Sequence, residues 1–144
     1  MIRSIAACLL AALAFTAPMA PFAQAAAPAN VVGYSASDLS GQWQGVYYNG
    51  GAAAPFDALL IDNGGTLIGS ITELNVFGSP DVAFLLSDVS GTVRNGRVSF
   101  EKTYNGVGGV THTVRYQGGV SRDGRRITGT WTLDGASDRF EMVR

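Results

Sequence analysis

The chemistry open to this chain rests on few side chains. It holds one lysine (Lys102), one histidine (His112), one cysteine (Cys8) and two tryptophans (Trp43 and Trp131). A lysine enclosed by protein needs an anionic partner or water. Glu73 is such a partner, and an anionic ligand would be another. One histidine and one glutamate are too few ligands for a tight metal site. With no recognisable nucleophile beside them, they also make weak catalytic machinery. No catalytic residue, metal or cofactor is therefore assigned, and an enzyme is the least supported reading.

Composition narrows the field further. Charged residues make up 15% of the chain and the formal net charge is −1, whereas a nucleic-acid module normally carries a basic excess. Hydrophobic residues reach 47%, too many for a disordered chain.

Residues 1–25 read as a secretory signal. Arg3 precedes an apolar run from Ile5 to Phe15, and Ala23-Gln24-Ala25 has the small residues of a cleavage site. The run is too short to span a bilayer. Cleavage would remove Cys8 and leave a thiol-free protein suited to the periplasm or the exterior. Residues 26–37 have no periodicity and read as a flexible tail, so the folded domain is expected over 38–144.

The elements that must position the chemical groups are strands. Asn-Gly and Asp-Gly pairs mark tight turns at Asn49-Gly50, Asn63-Gly64, Asn95-Gly96, Asn105-Gly106, Asp123-Gly124 and Asp134-Gly135. Between them the polarity alternates, predicting strands over 41–49, 55–62, 66–74, 88–94, 97–104, 110–121, 125–133 and 138–144. Eight strands joined mostly by hairpins form an all-β, antiparallel up-and-down barrel, which has no open edge. Ser79-Pro80-Asp81 resembles a helix start, so one helical turn is expected in the third-to-fourth connection.

An apolar-x-Gly-x-apolar pattern recurs at Gly41, Gly69, Gly91 and Gly129. Period two puts each glycine on the inward face, where it lets a narrow barrel curve. Hairpin loops then set the register. Asn95-Gly96 sets Gly91 opposite Phe100 and Val89 opposite Lys102. Asp123-Gly124 sets Tyr116 opposite Trp131. A five-residue loop at 105–109 would set Lys102 opposite His112. The inward set is Trp43, Phe56, Leu60, Leu67, Ile71, Val93, Val98, Phe100, Val114, Tyr116, Ile127, Trp131, Leu133, Phe140 and Met142. Threonines such as Thr113, Thr128 and Thr130 face out, unlike the apolar exterior of a membrane barrel.

The register separates two ends. One has tight turns and apolar inward residues. The other is expected to carry four longer Gly-rich connections and to form the mouth, with Tyr47, Glu73, Lys102, Tyr104 and His112 facing it. There Lys102 can reach water along its stem, pair with Glu73 or meet an anionic ligand. Charge is also uneven: residues 26–90 hold six acidic and no basic side chains, and residues 91–144 hold nine basic and five acidic.

Leu39-Ser40-Gly41-Gln42-Trp43 resembles the Gly-x-Trp opening of calycin barrels, the group of lipocalins, avidins and small bacterial metalloprotease inhibitors. Gly129-Thr130-Trp131 is similar to an avidin strand motif. The resemblance covers about 105 residues in architecture, but its motifs are only three to five residues long. It implies that Trp43 packs at the closed end under a cationic Arg144. It also implies that residues 26–37 correspond to the inhibitors' N-terminal arm. Avidin-type biotin sites use several tryptophans and this chain has two, so biotin is not expected. The inhibitors' disulfide has no counterpart here. Two functions follow. The first is a secreted, non-enzymatic barrel holding a small apolar or amphiphilic ligand at its open end. The alternative is a protease inhibitor or other protein-binding module acting through residues 26–37 or the segment Phe77 to Leu86.

Overall fold

The computed structural model describes residues 38–144; the leader and tail expected over 1–37 lie outside the described residues. Eight antiparallel strands run β1 Gly41–Asn49, β2 Ala52–Asn63, β3 Thr66–Leu74, β4 Phe84–Arg94, β5 Arg97–Tyr104, β6 Thr113–Val120, β7 Arg126–Leu133 and β8 Ala136–Val143. Each pairs with its chain neighbour, and β8 returns to β1, so the sheet closes as an up-and-down barrel. Closure satisfies every strand edge without a partner chain.

Turn chemistry explains the order. Asn95 and Gly96 both take positive φ, 51° and 71°, as do Asp134 and Gly135, 49° and 85°. That is the type I′ geometry whose twist matches paired strands. Asn49↔Ala52 and Leu133↔Ala136 are each closed by two residues. The β1–β2 and β7–β8 connections are therefore tight, not long as expected from their glycines. Only β3–β4 and β5–β6 are long at that end.

The helical turn also falls elsewhere. Ser79-Pro80-Asp81 forms a turn in which Val82 N donates to Ser79 O at 3.4 Å, and β4 begins at Phe84, within the segment expected to be helical. The alternation of buried Leu85, Ser87 and Val89 with exposed Phe84, Leu86 and Asp88 overrides the capping signal. Among the described residues the single 3₁₀ turn is Val107–Gly109, between β5 and β6. It lengthens that loop, so Lys102 pairs with Val114, and Phe100 with Tyr116. His112 is thus two residues away from the expected position opposite Lys102.

The inward face packs from the closed end upward. Phe100 and Tyr116 stack with centroids 4.8 Å apart, and Phe140 meets both edge-on. The expected inward residues are buried except Leu133, which is half-buried. At the base, Arg144 covers the Trp43 ring at 4.7 Å. The same guanidinium donates to the Gly124, Ser40 and Asp38 carbonyls at 2.8–2.9 Å, tying both ends of the described chain to a turn.

Inward glycines make this packing sterically possible. A Cβ at Gly129 would fall on the Gln117 carbonyl of β6, and one at Gly91 on the Ser99 carbonyl and Phe100. Phe56 lies across Gly45 in the same way. Strands bent this sharply have no room for a methyl group, and the aromatic opposite fills the space. Gly129→Ala is therefore expected to cost about 1–3 kcal/mol of unfolding free energy. The outward Gly119 has nothing near its Cβ position, so Gly119→Ala should change stability little. Urea denaturation of the two variants checks this; equal midpoints would remove the curvature role.

Candidate functional site

Alternation along β1, β3 and β5 sends Tyr47, Glu73, Lys102 and Tyr104 inward in the upper half of the barrel. Lys102 Nζ lies 2.9 Å from Glu73 Oε2 and donates to Tyr104 Oη at 2.8 Å. The Tyr104 hydroxyl donates in turn to Glu73 Oε1. The contact with Oε2 is Coulombic, its angle falling outside hydrogen-bond geometry. Two aromatic faces complete the enclosure, with the Tyr104 and Tyr47 centroids 4.4 Å and 5.4 Å from Nζ. Lys102 is 1% exposed and Glu73 3%. The lysine does not reach water along its stem; pairing has replaced hydration, as burial of a charge demands.

Above this triangle is a cavity of about 630 Å³. Tyr47, Tyr104 and Tyr116 form its inner surface, Trp131 and Leu133 one wall, and Ala52, Ala53 and Ala54 the opposite side. Phe77 and His112 stand at its rim. Of the five residues expected at the mouth, Tyr47, Tyr104 and His112 line the cavity, while Glu73 and Lys102 lie beneath it. His112 packs on the Tyr104 ring with centroids 4.7 Å apart, and Phe77 touches both rings at 5.7 Å and 5.9 Å.

The two long connections are built as one unit. Asn75 Nδ2 donates to the Ser79 and Val82 carbonyls at 2.6 Å and 2.9 Å, and its Oδ1 accepts from Gly78 N at 2.7 Å. Ser79 N donates to Gly108 O across to the β5–β6 loop at 2.8 Å. Gly108 has φ of 68°, and a Cβ there would press on Leu85 and Val82. Asn75, Phe77, Tyr116, Trp131 and the alanine run escaped assignment to the site from sequence. The run Ala52-Ala53-Ala54 was the readable signal: small residues opposite and beside the inward Tyr47 leave volume unfilled. Ser87 is also buried, its hydroxyl without a protein partner.

Enclosure displaces the titrations. Burial lowers the Lys102 ammonium, and the Glu73 charge opposes that shift without cancelling it. Burial and then Glu73 push Tyr47 up to about 12. Tyr104 and Tyr116 are raised as well, chiefly by burial. Among the described residues, no group of three His, Cys, Asp or Glu side chains is arranged to hold a metal ion. No helix among them is long and apolar enough to cross a membrane. Comparison with known protein families, curated proteins and solved structures finds no match.

The buried pair makes an asymmetric prediction. Lys102→Met leaves Glu73 without its cation and should cost about 3–5 kcal/mol, whereas Lys102→Met with Glu73→Leu should recover most of the loss. Chemical denaturation measures both, and a double variant no better than the single would contradict the pairing.

The raised tyrosines predict alkaline unfolding. In the unfolded chain they ionise near their ordinary value of 10.0, before their folded counterparts. Their contribution is complete below pH 10 and is lost as pH rises toward about 12 and beyond. Lys102 acts with the opposite sign, but only below its unfolded value of 10.5. Circular dichroism should therefore show the barrel failing above pH 10; a melting temperature constant to pH 12 would contradict it.

Proposed function

We propose that the chain is a secreted or periplasmic, non-enzymatic barrel of calycin-like type that holds a small apolar or amphiphilic molecule at its open end. The observation that carries this reading is the half-filled interior. Eight-stranded barrels are just wide enough to be filled by side chains or to hold one small ligand. Here the lower half is packed solid by Phe100, Tyr116 and Phe140, and the upper half contains the cavity of about 630 Å³. That volume lies within the range of about 300–1,000 Å³ of small-molecule sites. Its surface is aromatic and aliphatic, with tyrosine hydroxyls and His112 as the polar groups. The exposed threonine rows of β6 and β7 favour an aqueous surroundings over a bilayer.

Trp131 reports on the cavity directly. Its ring lines the wall and its Nε1 donates to Tyr48 O at 2.8 Å, whereas Trp43 is sealed at the base. Titration with an apolar fluorescent-silent probe such as a fatty alcohol should shift the tryptophan emission. Trp131→Phe should abolish the shift, and Ala54→Phe should block binding by filling the space opposite Tyr47. An emission unmoved by any apolar probe would refute the cavity reading.

A second reading has its own observation. Leu74, Val76, Phe77, Phe84 and Leu86 are 39–72% exposed around the β3–β4 connection, an apolar patch of the kind that marks protein contacts. Residues 26–37, the other segment considered for such contacts, lie outside the described residues. On this second reading partner binding leaves Trp131 emission unchanged and is lost in Phe84→Ser.

A further inference from the structure

We propose that the cavity selects an uncharged amphiphile, an alcohol, ester or amide head on an apolar body, and rejects a carboxylate. This rests on the ligand-binding reading above and specifies its ligand class. The argument is one of charge already spent. The cation beneath the cavity is Lys102, and its ammonium is held by Glu73 Oε2 at 2.9 Å and Tyr104 Oη at 2.8 Å. Glu73 Oε1 is held by the Tyr104 hydroxyl. The triangle is neutral as a whole, and at 1% exposure the lysine has no face turned to an incoming anion.

The cavity surface repeats the message. No lysine, arginine, aspartate or glutamate is among the described residues that line it, and His112 at the rim is the single titratable base there. A carboxylate pushed to the inner end would lose water, find no cation and approach Glu73, a like charge. An ammonium there would meet Lys102. A hydroxyl or carbonyl brings no charge to desolvate, and it meets Tyr47, which burial and the Glu73 charge keep protonated through neutral pH. Specificity of this kind arises from what the site leaves unpaired.

Dodecanol, dodecanoate and dodecylamine share one chain and differ in head charge. Titrated at neutral pH into the full protein and followed by Trp131 emission, dodecanol should bind at least about tenfold tighter than either ion, a difference of about 1.4 kcal/mol. Glu73→Gln removes the counter-charge, so the affinity of dodecanoate relative to dodecanol should rise about tenfold. Lys102→Met with Glu73→Leu removes both charges and should keep the preference for dodecanol, which tests the idea independently of whether Glu73→Gln folds. Equal binding of dodecanol and dodecanoate to the native protein overturns the charge argument while leaving the ligand-binding reading intact. An unchanged ratio in folded Glu73→Gln overturns it too. Binding of none of the three overturns the ligand-binding reading and this inference with it.

Discussion

Closure of a narrow barrel is the constraint on which the rest depends. Eight strands form a small cylinder only if each bends sharply, and a bend brings one strand's backbone against its neighbour's carbonyls. Gly69, Gly91 and Gly129 sit at those approaches, where any side chain would collide with backbone. Each missing side chain must be replaced from across the sheet, which is why Phe56, Phe100 and Phe140 pair with Gly45, Gly91 and Gly129. Curvature thus dictates where aromatics go, and the aromatics fill the lower half. What remains above them is set by the next residues along the same faces.

Those residues include the costliest pair in the molecule. A lysine and a glutamate in an apolar interior are tolerated only if their hydrogen-bonding capacity is met. Tyr104 meets part of it by accepting from the lysine and donating to Glu73 Oε1, while Oε2 faces the ammonium as a charge without a hydrogen bond. The tyrosine is in turn held by the rings of His112 and Phe77, and Phe77 belongs to the loop that Asn75 organises. The pair therefore links the barrel interior to the two long connections. A disturbance of the rim would reach the buried charges through one aromatic ring.

Much of this was legible in the residues, for identifiable reasons. Asn-Gly and Asp-Gly turns have few geometries, so the registers they set, including Val89 opposite Lys102 and Tyr116 opposite Trp131, match the structure. The β5–β6 loop departs from the five-residue expectation because Gly106, Gly108 and Gly109 all take positive φ and accommodate a 3₁₀ turn. That moved His112 off Lys102. The Ser79-Pro80-Asp81 signature failed because period-two burial from Leu85 onward outweighs one cap. The five expected site residues do converge on the upper half, but their division between cavity surface and buried floor was not readable. It depends on side-chain direction and on how deep each strand sits.

The cavity itself follows from composition at a few positions. On the inward face, Tyr47 is paired with Ala54, not with another large residue. Lower down, Gly45 is paired with Phe56 and Gly129 with Phe140. The small-with-large rule holds at both levels, but with opposite results. At the base the small residue is a glycine and the aromatic folds across it, closing the interior. At the mouth the small residues are alanines beside the turn, and the inward tyrosine opposite them, Tyr47, packs toward Lys102, as Tyr104 does from β5. The buried cation therefore helps to hold the space open: it keeps the Tyr47 ring directed at the floor and away from Ala54.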